Sequence, residues 1–215
     1  MKKTLSTLFF LIFSVLTLTA CQTVQPVDPN VTTLHQALIE HHMAAPKTTA
    51  YKLCHGHGCR LQDEISLSKK EWRKVRSTFR PRAKTPEKER EQIKKAIALM
   101  ETYSGKKTGT DKDTSGSFGS VFKKGQLDCE DEMLNAGMYF ILFKNNKLIR
   151  HHKIAGQANR GMFLNGWPHK AVHLTEIKSG QSYVLDSWFH DNGKPAEIID
   201  FKLWKSGWKP QEKAQ

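Results

Sequence analysis

The chemistry in this sequence centres on one cysteine that stands among four acidic residues, in the stretch QLDCEDE at residues 126–132. A cysteine acts as a nucleophile through its thiolate, which forms at a helix N-terminus or beside an imidazolium. Cys129 lies at the start of a predicted helix over residues 129–144, but the neighbouring carboxylates would raise its pKa. A nucleophilic role therefore requires a histidine close enough to take the thiol proton.

Two histidines are candidates for this base, and one aspartate lies where it could orient a histidine ring. His169 and His173 flank or occupy a predicted strand, and Asp186 ends the next strand, SYVLD. In an antiparallel hairpin the beginning of one strand lies opposite the end of the other, which places His169 beside Asp186. His173 alternates onto the interior of its strand and is the weaker candidate. The alternative for either histidine is a hydrogen-bonded structural role.

The elements that must position these residues change in type along the chain. Helix signals in the first half are the apolar spacing after Thr33, a capping box at Ser68 and Glu71, and Thr85-Pro86 before a long helix that Gly105 should stop. A loop rich in glycine and serine at 105–120 precedes the Cys129 helix. Strand-like segments follow that helix at 147–155, 171–177, 182–189 and 196–200. The sequence predicts an α+β domain, in which N-terminal helices are followed by a core helix packed on a largely antiparallel sheet.

The first twenty residues have the pattern of a secretory signal, with two lysines followed by an uncharged apolar run. The stretch Leu18-Thr19-Ala20-Cys21 resembles the bacterial lipobox, which predicts cleavage before Cys21 and attachment of lipid to it. The alternatives are ordinary secretory cleavage or a retained anchor, for which the run is short. Gln22 is typical of lipoproteins sorted to the outer membrane, facing the periplasm. The predicted organisation is a signal peptide at 1–20, a lipidated tether at 21–32, and one α+β domain at 33–215 with a helical part (33–104) and a catalytic core (105–215).

The formal net charge of the 215-residue chain is +13, and its lysines are spread along the sequence rather than clustered. Neither an arginine-rich block nor an aromatic ladder is present, so we expect no nucleic-acid partner. A basic surface of this kind suits anionic lipid head groups or cell-wall polymer, or is simply well solvated.

The number of cysteines indicates which thiols can pair and which is left free. With Cys21 lipidated, three cysteines remain in an oxidising compartment, so one is left unpaired. The segment CHGHGC favours a disulfide between Cys54 and Cys59 across a glycine turn, which leaves Cys129 free. Two alternatives are a zinc site made by the two thiols and two imidazoles of this segment, and a disulfide from Cys129 to either of the other two.

The acids around the cysteine and the last tryptophans also have competing interpretations. Oxygen ligands for Ca²⁺ could come from one helical stripe; the candidates are Asp128, Asp131, Glu132 and Asn135. Alternatively, carboxylates in the first turn of a helix simply favour the macrodipole. Trp204 and Trp208 indicate a final packed turn, with carbohydrate stacking as the alternative.

Three strings carry a resemblance to a known superfamily: GQLDCEDEMLN, WPHKAV and YVLDSWFHDNG. Their order resembles that of the bacterial transglutaminase-like cysteine proteinases and of the wider transglutaminase-like superfamily, over about residues 105–201. The resemblance implies a papain-like α+β fold. It also implies that Cys129 is the nucleophile, His169 the general base and acid, and Asp186 the carboxylate that orients the histidine.

The activity implied by this resemblance is attack of a thiolate on a protein or peptide amide, which gives an acyl-enzyme. The backbone N–H of Cys129 would stabilise the oxyanion, and the side chain of Gln126 is a candidate second donor or a locally bonded turn residue. Water as acceptor makes a peptidase or amidase, and an amine makes a cross-linking transferase. No cofactor is required, although related proteinases use calcium near the cysteine. The alternatives are an inactive envelope binding module and a metal-binding lipoprotein organised around CHGHGC.

Overall fold

The computed structural model describes residues 29–43, 46–116, 125–161 and 168–211, with side chains from residue 34 onward. Within these ranges the protein is a mixed α+β structure. The helices are α1 (Pro29–Glu40), α2 (Lys69–Ser77), α3 (Pro86–Thr108), α4 (Cys129–Asn145) and α5 (Phe201–Lys205). The strands are β1 (Tyr51–His55), β2 (Leu61–Ile65), β3 (His152–Arg160), β4 (His169–Glu176), β5 (Ser182–Asp186) and β6 (Glu197–Asp200). The predicted α+β class is confirmed.

Local capping chemistry sets the starts of the N-terminal helices. The Ser68 side chain accepts a hydrogen bond from the Glu71 N–H and the Glu71 side chain bonds back to Ser68, so the predicted capping box is confirmed. Thr85 caps α3, and Pro86 is its first residue. Helix α1 begins at Pro29, inside the stretch predicted as tether, because proline suits the first helical position, where no N–H is needed.

The prediction that Gly105 ends α3 is wrong, because the helix continues to Thr108 and ends at Gly109, whose φ is +78°. Gly105 instead lets another segment approach closely. A Cβ at this position would lie 2.9 Å from the backbone N of Asp111 and 2.8 Å from Oδ1 of Asn192. Gly105 is therefore needed for packing inside the helix, and Gly109 supplies the left-handed turn that ends it.

Strand β3 begins five residues later than the predicted segment at 147–155. The reason is that backbone N–H groups of this stretch have hydrogen-bond acceptors outside the sheet. Those of Arg150 and His151 donate to the carboxylate of Glu89 on α3, at 2.8 Å each, and not to a neighbouring strand. A buried side chain from a distant helix therefore competes with the sheet for this segment, which strand propensity does not reveal.

The main sheet is antiparallel in the order β3-β4-β5-β6, and a separate hairpin pairs β1 with β2. The predicted turn between β4 and β5 is present, with Gly180 at φ +73° and its N–H bonded to the carbonyl of Glu176 at 2.9 Å. Cross-strand pairing sets Val172 opposite Leu185. The start of β4 and the end of β5 therefore meet at one edge of the structure.

Alternating residues of the central strands face two different layers. Val172 and Leu185 belong to the main core with α4, whereas their neighbours Ala171 and Val184 belong to a second cluster with Trp204 of α5. Since successive side chains of a strand point to opposite faces, α4 covers one face of the sheet and α5 part of the other. Helix α4 is buried along most of its length, as its apolar composition predicts.

None of the helices in the described ranges combines the length and the apolar character needed to cross a bilayer. The predicted signal peptide and the lipidation site Cys21 lie outside the described residues.

Candidate functional site

Cys129 is the first residue of α4 and is a free, half-buried thiol. The backbone N–H of Lys170 lies near its sulfur and lowers the thiol pKa. Because Lys170 follows His169 directly in β4, the start of α4 lies near the start of β4. The sulfur of Cys129 is thus close to the backbone of the residue after His169.

His169 and Asp186 form a buried pair. The distance from Nε2 of His169 to Oδ2 of Asp186 is 2.8 Å, and both side chains are almost fully inaccessible to solvent. The contact expected from the hairpin register is therefore present. The other ring nitrogen of His169, Nδ1, is buried and has no hydrogen-bond partner in the described part of the chain. No described group, the Cys129 thiol included, hydrogen-bonds to that nitrogen in this conformation.

His173 lies four residues further along β4, on the same face of the strand as His169, and has different surroundings. Its ring stacks on Phe201 with centroids 4.6 Å apart, and burial lowers its pKa. It pairs across the strands with Val184 rather than with a carboxylate. The geometry of the described residues favours His169 over His173 as the partner of Asp186.

The acidic residues near Cys129 are mostly engaged with partners other than its sulfur, or are neutral. Asp128 caps α4 and accepts hydrogen bonds from the N–H groups of Glu130 and Asp131. Glu130 pairs with the ammonium of Lys170 at 3.0 Å. Burial raises the pKa of Glu132 well above its ordinary value, which favours its neutral form. The cysteine is therefore less surrounded by negative charge than its sequence neighbours indicate.

The thiol of Cys129 nevertheless resists ionisation in this conformation. Burial raises its pKa to about 11, and Asp128 and Asp186 add to the increase, whereas the Lys170 N–H opposes it. The resting sulfur is thus a protonated thiol at neutral pH. If it acts as a nucleophile, its proton must be removed as the sulfur attacks, and not in a preformed ion pair.

The disulfide predicted in CHGHGC is confirmed, since Cys54 is bonded to Cys59. The turn it closes lies against the N-terminus of α4. Backbone N–H groups of His57 and Cys59 donate to the carboxylate of Asp131, at 2.8 and 2.7 Å. The Gly58 N–H donates to Asp128 at 2.8 Å. The acids of the QLDCEDE stretch therefore hold the disulfide turn in place.

Asn135 extends the same attachment by one helical turn. Its side-chain oxygen accepts from the Cys54 N–H and its side-chain nitrogen donates to the Cys54 carbonyl, each at 2.8 Å. The Asn135 amide thus makes with the backbone of β1 the pair of hydrogen bonds that a neighbouring strand would otherwise make. The β1–β2 hairpin is consequently fixed to the helix that carries Cys129.

Reduction of the disulfide is expected to lower the free energy of unfolding by about 2 kcal/mol, because the short closed loop no longer restricts the unfolded chain. Urea unfolding with and without a phosphine reductant measures this difference. The Cys54→Ala/Cys59→Ala double variant is the control, since its stability should not respond to the reductant. Equal stability of oxidised and reduced wild-type protein would contradict the expectation.

The oxygens considered as calcium ligands already have hydrogen-bond donors. Asp128, Asp131 and Asn135 accept from backbone N–H groups as described above, and Glu132 accepts from the Ser187 hydroxyl at 2.5 Å. These oxygens point toward the disulfide turn and into the core rather than toward one common point. Calcium binding at this stripe remains a prediction that the geometry does not favour.

The alternative prediction of a zinc site in CHGHGC is also not favoured by the geometry. Within the described ranges, Cys54, Cys59 and Asp131 form one group whose ligand atoms lie within 4.8 Å of one another. The two sulfurs are joined in a disulfide, however, and so provide no thiolates to a metal. Oxidised, this segment is a structural turn.

Gln126, the candidate second oxyanion donor, is engaged locally. Its side-chain nitrogen donates to the carbonyl of Lys112 at 2.9 Å, and its side-chain oxygen lies 3.4 Å from the Thr114 hydroxyl. The Gln126 carbonyl accepts from Gly56, next to the disulfide turn. The local-turn interpretation of this residue agrees with the observed contacts.

A cluster of buried carboxyl groups lies beneath the start of α4. Glu101 accepts from the Gly193 N–H at 3.1 Å, and its Oε1 has no partner among the described residues. Burial raises the pKa of Glu101 to about 8, with a further increase from Asp113. The Glu132–Ser187 bond joins this cluster to the residue after Asp186. The start of α4 and the end of β5 are thereby linked below the site.

Sequence reasoning missed three contacts of this site: the Lys170 N–H near the Cys129 sulfur, the Ser187 hydroxyl that donates to Glu132, and the Trp204 indole N–H, which donates to Oδ2 of Asp186 at 2.7 Å. Lys170 and Ser187 directly follow the predicted histidine and aspartate, so their positions in the sequence could have indicated that they lie at the site. Trp204 had no comparable local signal. Its side chain is fully buried, which leaves no free ring face for a sugar.

Comparison with family models, with curated proteins and with solved structures found nothing that matches this chain. The function of this protein is therefore inferred from the geometry of the site and from the sequence resemblance.

Proposed function

We propose that this protein is a thiol enzyme of the transglutaminase-like type, with a papain-like arrangement, that cleaves or transfers protein or peptide amides. The observation that supports it best is the buried His169–Asp186 pair, in which Nδ1 of His169 has no hydrogen-bond partner among the described residues and the next residue, Lys170, has its backbone N–H near the Cys129 sulfur. A cysteine on a helix start, followed by a histidine and an aspartate on adjacent antiparallel strands, agrees with the order expected for that superfamily. This combination is what a nucleophile, a base and an orienting group require.

In the proposed reaction the Cys129 sulfur attacks the amide carbonyl carbon while the thiol proton passes to Nδ1 of His169. Asp186 stabilises the resulting imidazolium through its contact with Nε2. The oxyanion lies at the start of α4, where the Asp128 side chain takes the N–H groups of Glu130 and Asp131 but not that of Cys129. The N–H of Cys129 is therefore placed to stabilise the oxyanion.

Collapse of the tetrahedral intermediate breaks the C–N bond, and the imidazolium gives its proton to the departing amine. The acyl group is then a thioester on Cys129. Water or a second amine attacks this thioester as His169 takes its proton, which releases a carboxylic acid or a new amide and restores the thiol. No metal or cofactor enters this scheme; calcium could act only as an added structural ion.

We also propose that the enzyme is an envelope lipoprotein, anchored through Cys21 in the outer membrane and facing the periplasm. The support is the signal and lipobox pattern of residues 1–21. The Cys54–Cys59 disulfide agrees with an oxidising compartment. The basic charge suits contact with anionic lipid or cell-wall polymer, and we include no nucleic-acid partner.

A second candidate function is a non-catalytic envelope binding module that retains this fold. Burial favours this candidate, because it raises the pKa of the Cys129 thiol to about 11 and a thiol that stays protonated suits a passive cysteine. The two functions differ in whether His169 changes the reactivity of the sulfur.

A thiol-directed probe distinguishes them. We expect an iodoacetamide-alkyne probe at pH 7 to label Cys129 in the wild type and to lose most of that labelling in His169→Ala, because the base is gone. His173→Ala is the matched control on the same strand and should be labelled like the wild type, whereas Cys129→Ala sets the background. Equal labelling of the wild type and His169→Ala in folded protein would refute the enzyme and leave the binding module.

A further inference from the structure

The carboxylate of Asp186 is held from two directions at a single oxygen. Oδ2 accepts a hydrogen bond from Nε2 of His169 at 2.8 Å and another from the indole Nε1–H of Trp204 at 2.7 Å. Trp204 is fully buried, and Asp186 is only 2% exposed. The indole comes from α5, eighteen residues further along the chain than the aspartate it contacts.

Trp204 is itself held in place by Arg160, the last residue of β3. The Arg160 guanidinium lies 4.4 Å from the centroid of the Trp204 ring. Its Nη1 donates to the backbone carbonyls of Trp204 and Trp208, at 2.6 and 2.8 Å. Arg160 ends β3 and pairs in register with His169. One arginine therefore attaches α5 to the strand position opposite the histidine.

The aromatic surroundings of His169 complete this arrangement. Its ring lies 4.7 Å from the centroid of Trp188 and 5.6 Å from that of Trp204. Apolar rings on these sides limit the access of water to the His169–Asp186 hydrogen bond. A charge-assisted bond is stronger where water is excluded, provided that the acceptor cannot rotate away.

We propose that Trp204, held in place by Arg160, is a positioning residue for the His169–Asp186 pair. With one donor alone, the Asp186 carboxylate could turn about its terminal bond and present its oxygen to the imidazole in several orientations. Two N–H donors that converge on Oδ2 leave it one orientation, which fixes the plane of the imidazole and the direction of Nδ1. This inference rests on the proposed function, because it assigns Trp204 a role only if His169 serves Cys129.

The test is the pH dependence of Cys129 alkylation by iodoacetamide, followed by intact mass in the full-length protein. In Trp204→Phe the ring remains but its N–H donor is lost. We expect the midpoint of the reactivity profile to rise by about one pH unit, toward that of His169→Ala, which is about tenfold in rate at a pH below both midpoints. A merely structural role would lower the melting temperature without moving this midpoint.

Trp208→Phe is the matched control, because its ring makes an edge contact with Phe189 and no indole hydrogen bond to Asp186 is involved. Its profile should superimpose on that of the wild type. If Trp204→Phe does not fold, Arg160→Met replaces it, since it loosens α5 while keeping the core ring. That variant should move the midpoint in the same direction. An unchanged midpoint in a folded variant of either kind would overturn the proposal.

The failure of this inference and the failure of the proposed function give different results. If His169→Ala leaves the profile of the wild type unchanged, the function fails and Trp204 has nothing to position. If His169→Ala moves the profile but Trp204→Phe does not, the function stands and Trp204 is only a core residue.

Discussion

Replacement of Asp186 by asparagine is expected to lower the alkylation rate of Cys129 at pH 7 by about a hundredfold or more, the scale of a lost general-base contribution. Asparagine has nearly the same shape and can still present an oxygen to His169 and Trp204. What it removes is the negative charge that stabilises the imidazolium. The Cys129 thiol has a pKa of about 11 with Asp186 present, and Asp186 itself adds to that value, so a slower reaction in this variant would come from the lost stabilisation of the imidazolium and not from the thiol pKa. The measurement is intact mass after timed exposure to iodoacetamide.

Asp191→Asn is the control for this variant, since Asp191 is an exposed neighbour whose carboxylate accepts from the Ser115 N–H rather than from a histidine. It should react like the wild type. Circular dichroism and thermal unfolding establish that both variants are folded. A folded Asp186→Asn protein that is alkylated at the wild-type rate would show that the charge of Asp186 does not act on Cys129.

The second large effect is on stability and concerns the buried carboxyl of Glu101. Its pKa rises from 4.5 to about 8 in the folded protein, chiefly through burial. Between these two values the folded state binds a proton that the unfolded state has lost. The free energy of unfolding therefore falls as pH rises through about 8, and Glu101 contributes most stability below pH 4.5.

Glu101→Gln should remove this part of the pH dependence, because the amide keeps an oxygen for the Gly193 N–H and never ionises. We expect the variant to match the wild type near pH 5 and to exceed it by about 2 to 4 kcal/mol above pH 8. Urea unfolding across this range measures the difference. Glu91→Gln, at an exposed position of α3, is the control and should follow the wild type at every pH.

Asp113 and Glu132 modify the size of this effect but not its sign. Burial raises the pKa of Asp113 to about 7 and that of Glu132 well above its ordinary value. Both groups therefore add to the loss of stability with rising pH, and Glu101→Gln should flatten the curve without abolishing its slope. A steeper fall in the variant than in the wild type would be incompatible with a neutral Glu101.

Much of the fold could be predicted from sequence because its signals are local. The capping box at Ser68, the proline after Thr85 and the glycine turn at residue 180 each act within a few residues of where they stand. The disulfide turn is similarly short. In the candidate site, the hairpin brings the start of β4, with His169, near the end of β5, with Asp186, because antiparallel pairing is set by the turn that joins the strands.

Only the tertiary structure decided what depends on residues far apart in the chain. Glu89 withdraws Arg150 and His151 from strand β3, and close packing of Gly105 lets α3 run past the expected stop. The charge around Cys129 also could not be judged locally, since it depends on the disulfide turn and on burial. The contact of Trp204 with Asp186 is of the same kind.

The sequence by itself therefore determined the α+β class, the pairing of Cys54 with Cys59 and the neighbourhood of His169 and Asp186, since local capping, short loops and strand alternation specify these. The tertiary structure decided how the acids near Cys129 are partnered and which distant donors hold Asp186. The physical reason is that desolvation and hydrogen bonding act through space. Their partners come from turns, strands and a final helix that no spacing near Cys129 reveals.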